Sequence, residues 1–126
     1  MKVFLDTHAA VFLWEGKIEL FGKGAISALE SGQLYMSPMV RLELEYLYEI
    51  KRIHVAPDEI IGGLKADLGV MMSDDHIAAV VSHAMELTWT RDPFDRLIVA
   101  TANLHNASLI TRDRLITKHV SKAIWH

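Results

Sequence analysis

Short apolar runs separated by helix-length segments constrain this chain more than any single motif does. Val3-Phe4-Leu5, Leu34-Tyr35-Met36, Val70-Met71-Met72, Ser108-Leu109-Ile110-Thr111 and Ala123-Ile124-Trp125 are too short for helices and read as buried strands. Between them, apolar residues recur at helical spacing. The first helix is expected from Thr7, as its cap, to near Gly16, and the second from Ala25 to Glu30. Others are expected from Pro38 to about Lys51, from Pro57 to Asp67, and from Asp92 through Leu104. A helix capped by Ser73, with Asp74 and Asp75 in its first turn, should run to about Glu86, and a short one should span Leu115 to His119. Strands alternating with helices imply an α/β fold whose parallel sheet is covered on both faces. Ligands of such sheets gather outside the carboxyl ends of the strands, where the topology reverses. Functional side chains are therefore sought just after strands and at helix starts.

The chain has 126 residues, enough for one domain, and 51% of them are apolar, enough for a substantial core. It has no cysteine, which excludes thiolate metal sites and disulfides. The acid at position 6 interrupts any secretory signal, and no apolar run reaches membrane-spanning length, so a soluble, cytoplasmic protein is expected. A formal charge of −3 gives no basic field, so any case for a nucleic-acid partner must come from a site.

Carboxylates supply that site. Asp6 and Asp113 each follow a strand and fall on the carboxyl rim. The stretch Thr90-Arg91-Asp92-Pro93-Phe94-Asp95 opens a helix with Asp92 at the N-cap, Pro93 at N1 and Asp95 at N3. Asp95 either bonds back to the cap or, at the margin of its helix's apolar stripe, joins the rim. On the helix from Pro38, Val40, Leu44 and Leu47 form the buried face; Glu43 lies beside that stripe and Glu45 nearly opposite, on the surface. An inward carboxylate costs several kcal/mol unless paired, protonated or metal-bound, although the stem of Glu43 could also lie along the core's edge. Asp6, Glu43, Asp95 and Asp113 gathered on one rim would repel each other without a counterion. Hard divalent cations, Mg²⁺ or Mn²⁺, suit such oxygen donors and accept phosphate oxygens as well, which points to phosphodiester hydrolysis.

The segments FLDTH, SPMVRLELE, RDPFDRLIVATA and LITRD, with a closing AIW, occur in an order that resembles the PIN-domain ribonucleases, specifically the toxins of VapBC-type toxin–antitoxin pairs. The resemblance covers nearly the whole chain, read as a single PIN domain over residues 1–126. It implies a three-layer α/β/α sandwich with a mostly parallel sheet of about four to five strands. It maps the family's acidic quartet onto Asp6, Glu43, Asp95 and Asp113, makes Asp92 a supporting acid, and sets Thr7, Ser37 and Thr111 as polar neighbours. It further implies Mg²⁺- or Mn²⁺-dependent cleavage of single-stranded segments in structured RNA, often tRNA or ribosomal RNA. A homodimer and a small antitoxin whose tail covers the pocket, joined in a higher assembly, are implied too. One departure is Arg41-Leu42 ahead of Glu43, where relatives often carry a small polar residue and an aromatic.

Arg91, Arg96, Arg112 and Arg114 lie near the rim acids in sequence. They either hold RNA phosphates, with Arg96 and Arg112 as the substrate candidates, or salt-bridge to the same acids. His76 and His83 sit two turns apart, but no H-E-x-x-H spacing supports a metal site there. His8 is either a substrate contact or a core or cap residue. A phosphoaspartate strand would need an acid where His8 stands, a receiver domain would need a lysine near Thr111, and no phosphate-binding loop is present. Against the nuclease stands a non-catalytic PIN-like module that binds RNA or protein through the same pocket.

Overall fold

The computed structural model describes residues 1–126. In chain order the elements are β1 (Lys2–Leu5), α1 (Thr7–Trp14), α2 (Lys23–Ser31), β2 (Gln33–Met36), α3 (Pro38–Glu49), α4 (Pro57–Leu68), β3 (Met71–Met72), α5 (Ile77–Ala84), α6 (Pro93–Leu104), β4 (Ser108–Ile110), α7 (Arg114–His119) and β5 (Ala123–Ile124). All pairings are parallel, in the order β3-β2-β1-β4-β5. Central β1 pairs Val3 with Leu34 on one side and with Ser108 on the other. Successive side chains of a strand point to opposite faces, yet Val3, Phe4 and Leu5 are all fully buried. Helices therefore cover both faces of the sheet, giving the expected three layers.

The chain builds outward from β1 through β2 and β3, then returns to add β4 and β5 on the other side. The reversal lies between β1 and β4, and the crevice above their carboxyl ends is where such a sheet binds ligands. The ladder runs one residue past β1, with Asp6 N donating to Ile110 O at 3.1 Å. A second small cluster, Val80, Ala84 and Ala100, joins α5 to α6. No helix is long and apolar enough to cross a membrane.

Two expected helix starts are displaced. Asp6, not Thr7, caps α1, its Oδ1 accepting from Ala9 N at 2.9 Å. Ser73 opens no helix. Its N–H donates to Met36 O at 2.9 Å, extending the β3 ladder, and α5 begins only at Ile77, after His76, which makes no side-chain cap. At Ser73 strand pairing thus holds backbone that a local reading gave to a helix start. The helix also stops at Ala84, and a 3-10 turn over Ile18–Leu20 had no signal in the sequence.

Glycines report how tightly the layers close. A Cβ on Gly32, between α2 and β2, would stand 2.4 Å from Val3 Cγ2 and 2.9 Å from Ala28 O, whereas one on Gly62, inside α4, would meet nothing within 4 Å. Gly32→Ala is expected to destabilise by about 1–3 kcal/mol through overpacking. Gly62→Ala is expected to stabilise by up to about 1 kcal/mol through helix propensity. Denaturant unfolding of the two variants beside the parent checks both signs.

Candidate active site

Helix capping assembles most of the site. Asp6 caps α1 at the end of β1. Asp92 caps α6, its Oδ1 accepting from Phe94 N at 2.9 Å and Asp95 N at 3.2 Å. Asp113 caps α7, its Oδ1 accepting from Leu115 N at 2.8 Å and Ile116 N at 3.0 Å. In each case one carboxylate oxygen serves the backbone. The positive helix ends also favour the negative charge placed on them. Asp95 occupies N3 of α6, but its carboxylate makes no hydrogen bond back to the cap, so it takes no part in a capping box. Glu43, from the second turn of α3, accepts a hydrogen bond at Oε1 from the Thr7 hydroxyl. That contact offsets part of the cost of its partial burial.

These five acids line one cavity of about 420 Å³, together with Thr7, His8, Phe12, Ile98 and Arg112. It lies at the switch point between β1 and β4. Burial raises the Asp6 carboxyl from 3.8 to about 6, against the opposing effect of the Thr111 hydroxyl and the Ala9 amide. Burial, followed by repulsion from Asp92, Asp113, Glu43 and Asp6, raises Asp95 to about 7. Glu43 is also raised, chiefly by burial, with the Thr7 hydroxyl and His8 opposing. No three Asp, Glu or His side chains are drawn into one coordination sphere, so the acids share a cavity and not a single point.

Of the sequence-chosen neighbours, Thr7 and Arg112 line the cavity. Ser37 does not: it is buried as the cap of α3, accepting from Met39 N at 3.1 Å. Thr111 is fully buried behind Asp6, its Oγ1 accepting from Asp113 N at 3.1 Å. Arg96 turns aside, its Nε donating to Thr90 O at 2.9 Å. The expected salt bridges between the arginines and the rim acids are absent. The ion pairs of the chain are Lys17–Glu15 and Arg41–Asp58, and the close His83–Glu86 and His105–Asp75 contacts also lie away from the rim. Glu45 faces away from the site, as its helical position requires, but is half-buried in a separate cavity beside the Arg41–Asp58 pair. His8 is exposed on the cavity wall, which removes its core and cap readings. Phe12, one turn further along α1, lines the site as well, although its apolar character in the sequence suits the core. Only the i, i+4 spacing from His8 could have suggested it.

Comparison with known proteins places the chain in a family and its fold among solved structures. Residues 3–121 match the PIN domain family. Over 120 residues the chain is 30% identical to Ribonuclease VapC22 of Mycobacterium tuberculosis, covering 93% of this chain and 91% of that protein. The fold is that of VapBC2 from Rickettsia felis bound to a DNA fragment from their promoter (TM-score 0.67, 17% identity, 98% of this chain and 97% of that one). It is also that of VapBC-1 from nontypeable Haemophilus influenzae (TM-score 0.64, 18% identity, 100% and 97%).

A carboxyl whose pKa rises on folding stabilises the fold in its protonated form. That contribution is complete below the unfolded value of 3.8 and is lost as pH rises through about 6 for Asp6 and about 7 for Asp95. Thermal stability in EDTA is therefore expected to fall across this window. Asp95→Asn should raise the melting temperature at pH ~8 by about 3–5 °C, a gain of about 1 kcal/mol after solvent screening, and the gain should shrink toward pH ~4. Thermal melts of parent and variant across pH check the sign, and a variant equal to the parent at pH ~8 contradicts the mutual repulsion.

Proposed function

The chain belongs to the PIN-domain family, in its VapC-type branch, and on that premise we propose that it is a metal-dependent endoribonuclease serving as the toxin of a toxin–antitoxin pair. The observation that carries the reading is the convergence of Asp6, Glu43, Asp95 and Asp113 on one cavity at the reversal of the sheet. The donor set fits a hard cation: every candidate ligand is an oxygen, none is engaged by a lysine or arginine, and neighbouring acids oppose the ionisation of Asp95. Asp6, Glu43, Asp95 and Asp113 would hold Mg²⁺ or Mn²⁺, with Asp92 in support. A bound cation supplies charge neutralisation at phosphate oxygens and acidifies water.

The chain's own groups do the rest. Capping fixes Asp6 and Asp113 through Oδ1, and both line the cavity. Thr7 holds the Glu43 carboxylate in place through its hydroxyl. A rim carboxylate takes the proton of the attacking water as the phosphodiester bond breaks. The substrate we assign is RNA, at unpaired segments of tRNA or ribosomal RNA. The partner we assign is a VapB-like antitoxin, since the neighbours in fold are toxin–antitoxin assemblies.

We also assign a homodimer. Ile77, Val81 and Met85 form an i, i+4, i+8 stripe on α5 and its C-cap that is 61, 42 and 69% exposed, an apolar face without a partner in one chain.

Structured RNA incubated with the protein should be cleaved with Mg²⁺ or Mn²⁺ and left intact with EDTA. Asp6→Asn keeps a good N-cap and should lower the rate by about 100-fold or more. RNA that survives both metals would leave a PIN-like module acting by binding alone. Val81→Lys should convert a dimer to a folded monomer by light scattering, and an unchanged mass excludes α5 as the interface.

A further inference from the structure

Arg112 stands on the wall of a cavity lined by five carboxylates, yet forms no ion pair with any of them. Its guanidinium lies instead over the Phe12 ring, 5.6 Å from the centroid. Phe12 is the outer ring of an aromatic column rooted in the core: its centroid is 6.3 Å from that of Trp125, which in turn is 4.6 Å from Phe21. Trp125 and Phe21 are buried, so the base of the column is fixed. The exposed His8 ring flanks Phe12 at 6.5 Å and lines the same cavity. A planar cation is thus held on a rigid ring beside the acids, with its outer side exposed and a second ring next to it.

A side chain meant only to neutralise the acids would have paired with them. A phosphate would draw hydrogen bonds from Arg112 but nothing from Phe12. A nucleobase uses the whole arrangement, because bases stack on guanidinium planes and aromatic rings alike. We propose that Arg112, backed by Phe12 and flanked by His8, is a stacking shelf for one unpaired base of the RNA next to the phosphate being cleaved. The assignment rests on the nuclease reading for its substrate. It adds a physical reason for single-strand selection: a base kept in a duplex cannot reach the shelf, and a base that can reach it is accepted with little regard to its identity.

The test uses the Asp6→Asn protein with Mg²⁺ and a short oligouridylate carrying one 2-aminopurine, whose fluorescence is quenched on stacking. A fully abasic ribose-phosphate strand of the same length is the control. Quenching is expected with Asp6→Asn alone. Adding Arg112→Lys, which keeps the charge and removes the plane, should abolish the quench and weaken binding about 5- to 20-fold. The abasic strand should bind both proteins equally. Phe12→Leu should act in the same direction. Arg112 is exposed, so its substitution carries the test even if Phe12→Leu fails to fold. Failure to bind the oligouridylate, a quench that survives Arg112→Lys, or an equal loss on the abasic strand overturns the shelf and leaves this wall to a phosphate or a protein segment. Cleavage by the parent protein is scored separately. A parent that cleaves nothing sinks the nuclease reading while the binding comparison still stands.

Discussion

A helix that starts at the carboxyl edge of a parallel sheet must satisfy its first N–H groups, and three such starts, α1, α6 and α7, are satisfied by aspartate. Much of the site follows from that requirement. Each cap ties one carboxylate oxygen to the backbone, so Asp6, Asp92 and Asp113 are fixed by the same bonds that hold the helices. The topology brings these starts to a common rim, and Glu43 and Asp95, which cap nothing, complete the ring. Stability and function conflict here. Capping favours Asp6, Asp92 and Asp113, while grouping and burial push Asp6 and Asp95 toward neutral pH. On the proposed metal-dependent reading, a bound cation would remove the conflict and stabilise the fold as well as serve the chemistry.

A second polar arrangement lies at the start of the central strand. Asp75 Oδ1 and His105 Nε2 are 2.6 Å apart, and His105 Nδ1 is 3.3 Å from Lys2 Nζ. Lysine can only donate, so Nδ1 accepts and the Nε2–H points to Asp75. This chain of contacts joins the loop after β3, the C-cap of α6 and the first residue of β1. The helix that presents Asp92 and Asp95 at one end is thus anchored at the other. The same loop holds the residues expected at the start of α5 in other contacts: Ser73 N–H in the β3 ladder and Asp75 Oδ1 against His105.

Periodicity and cap chemistry were legible along the chain because both are local. The apolar runs at Val3–Leu5, Leu34–Met36 and Ser108–Ile110 mark strands, and Ser37-Pro38 and Asp92-Pro93 mark helix starts, within a few bonds of where the structure has them. The position of Glu43 beside the stripe of Val40, Leu44 and Leu47 follows from helical geometry alone, and so does the outward turn of Glu45. The polar neighbours were less legible. Ser37 and Thr111 resemble site residues in sequence, but one is spent on a cap and the other lies beneath Asp6. Hydroxyls serve backbone and ligand equally well, so sequence position does not separate the two roles.

What the sequence determined by itself is the α/β alternation, the covered parallel sheet and the identity of the acids that meet at its rim. Those depend on side-chain period and on the fixed relation between a strand's end and the helix after it. Only the tertiary structure decided that Asp6 outcompetes Thr7 for the first cap, that the loop after β3 stays in the ladder, and that Arg112 leaves the acids for Phe12. Each involves a partner distant in sequence, Glu43 for the Thr7 hydroxyl, Met36 for Ser73 and Phe12 for Arg112, and is settled by which surfaces the packed sheet brings together. A local reading sees only one partner in each.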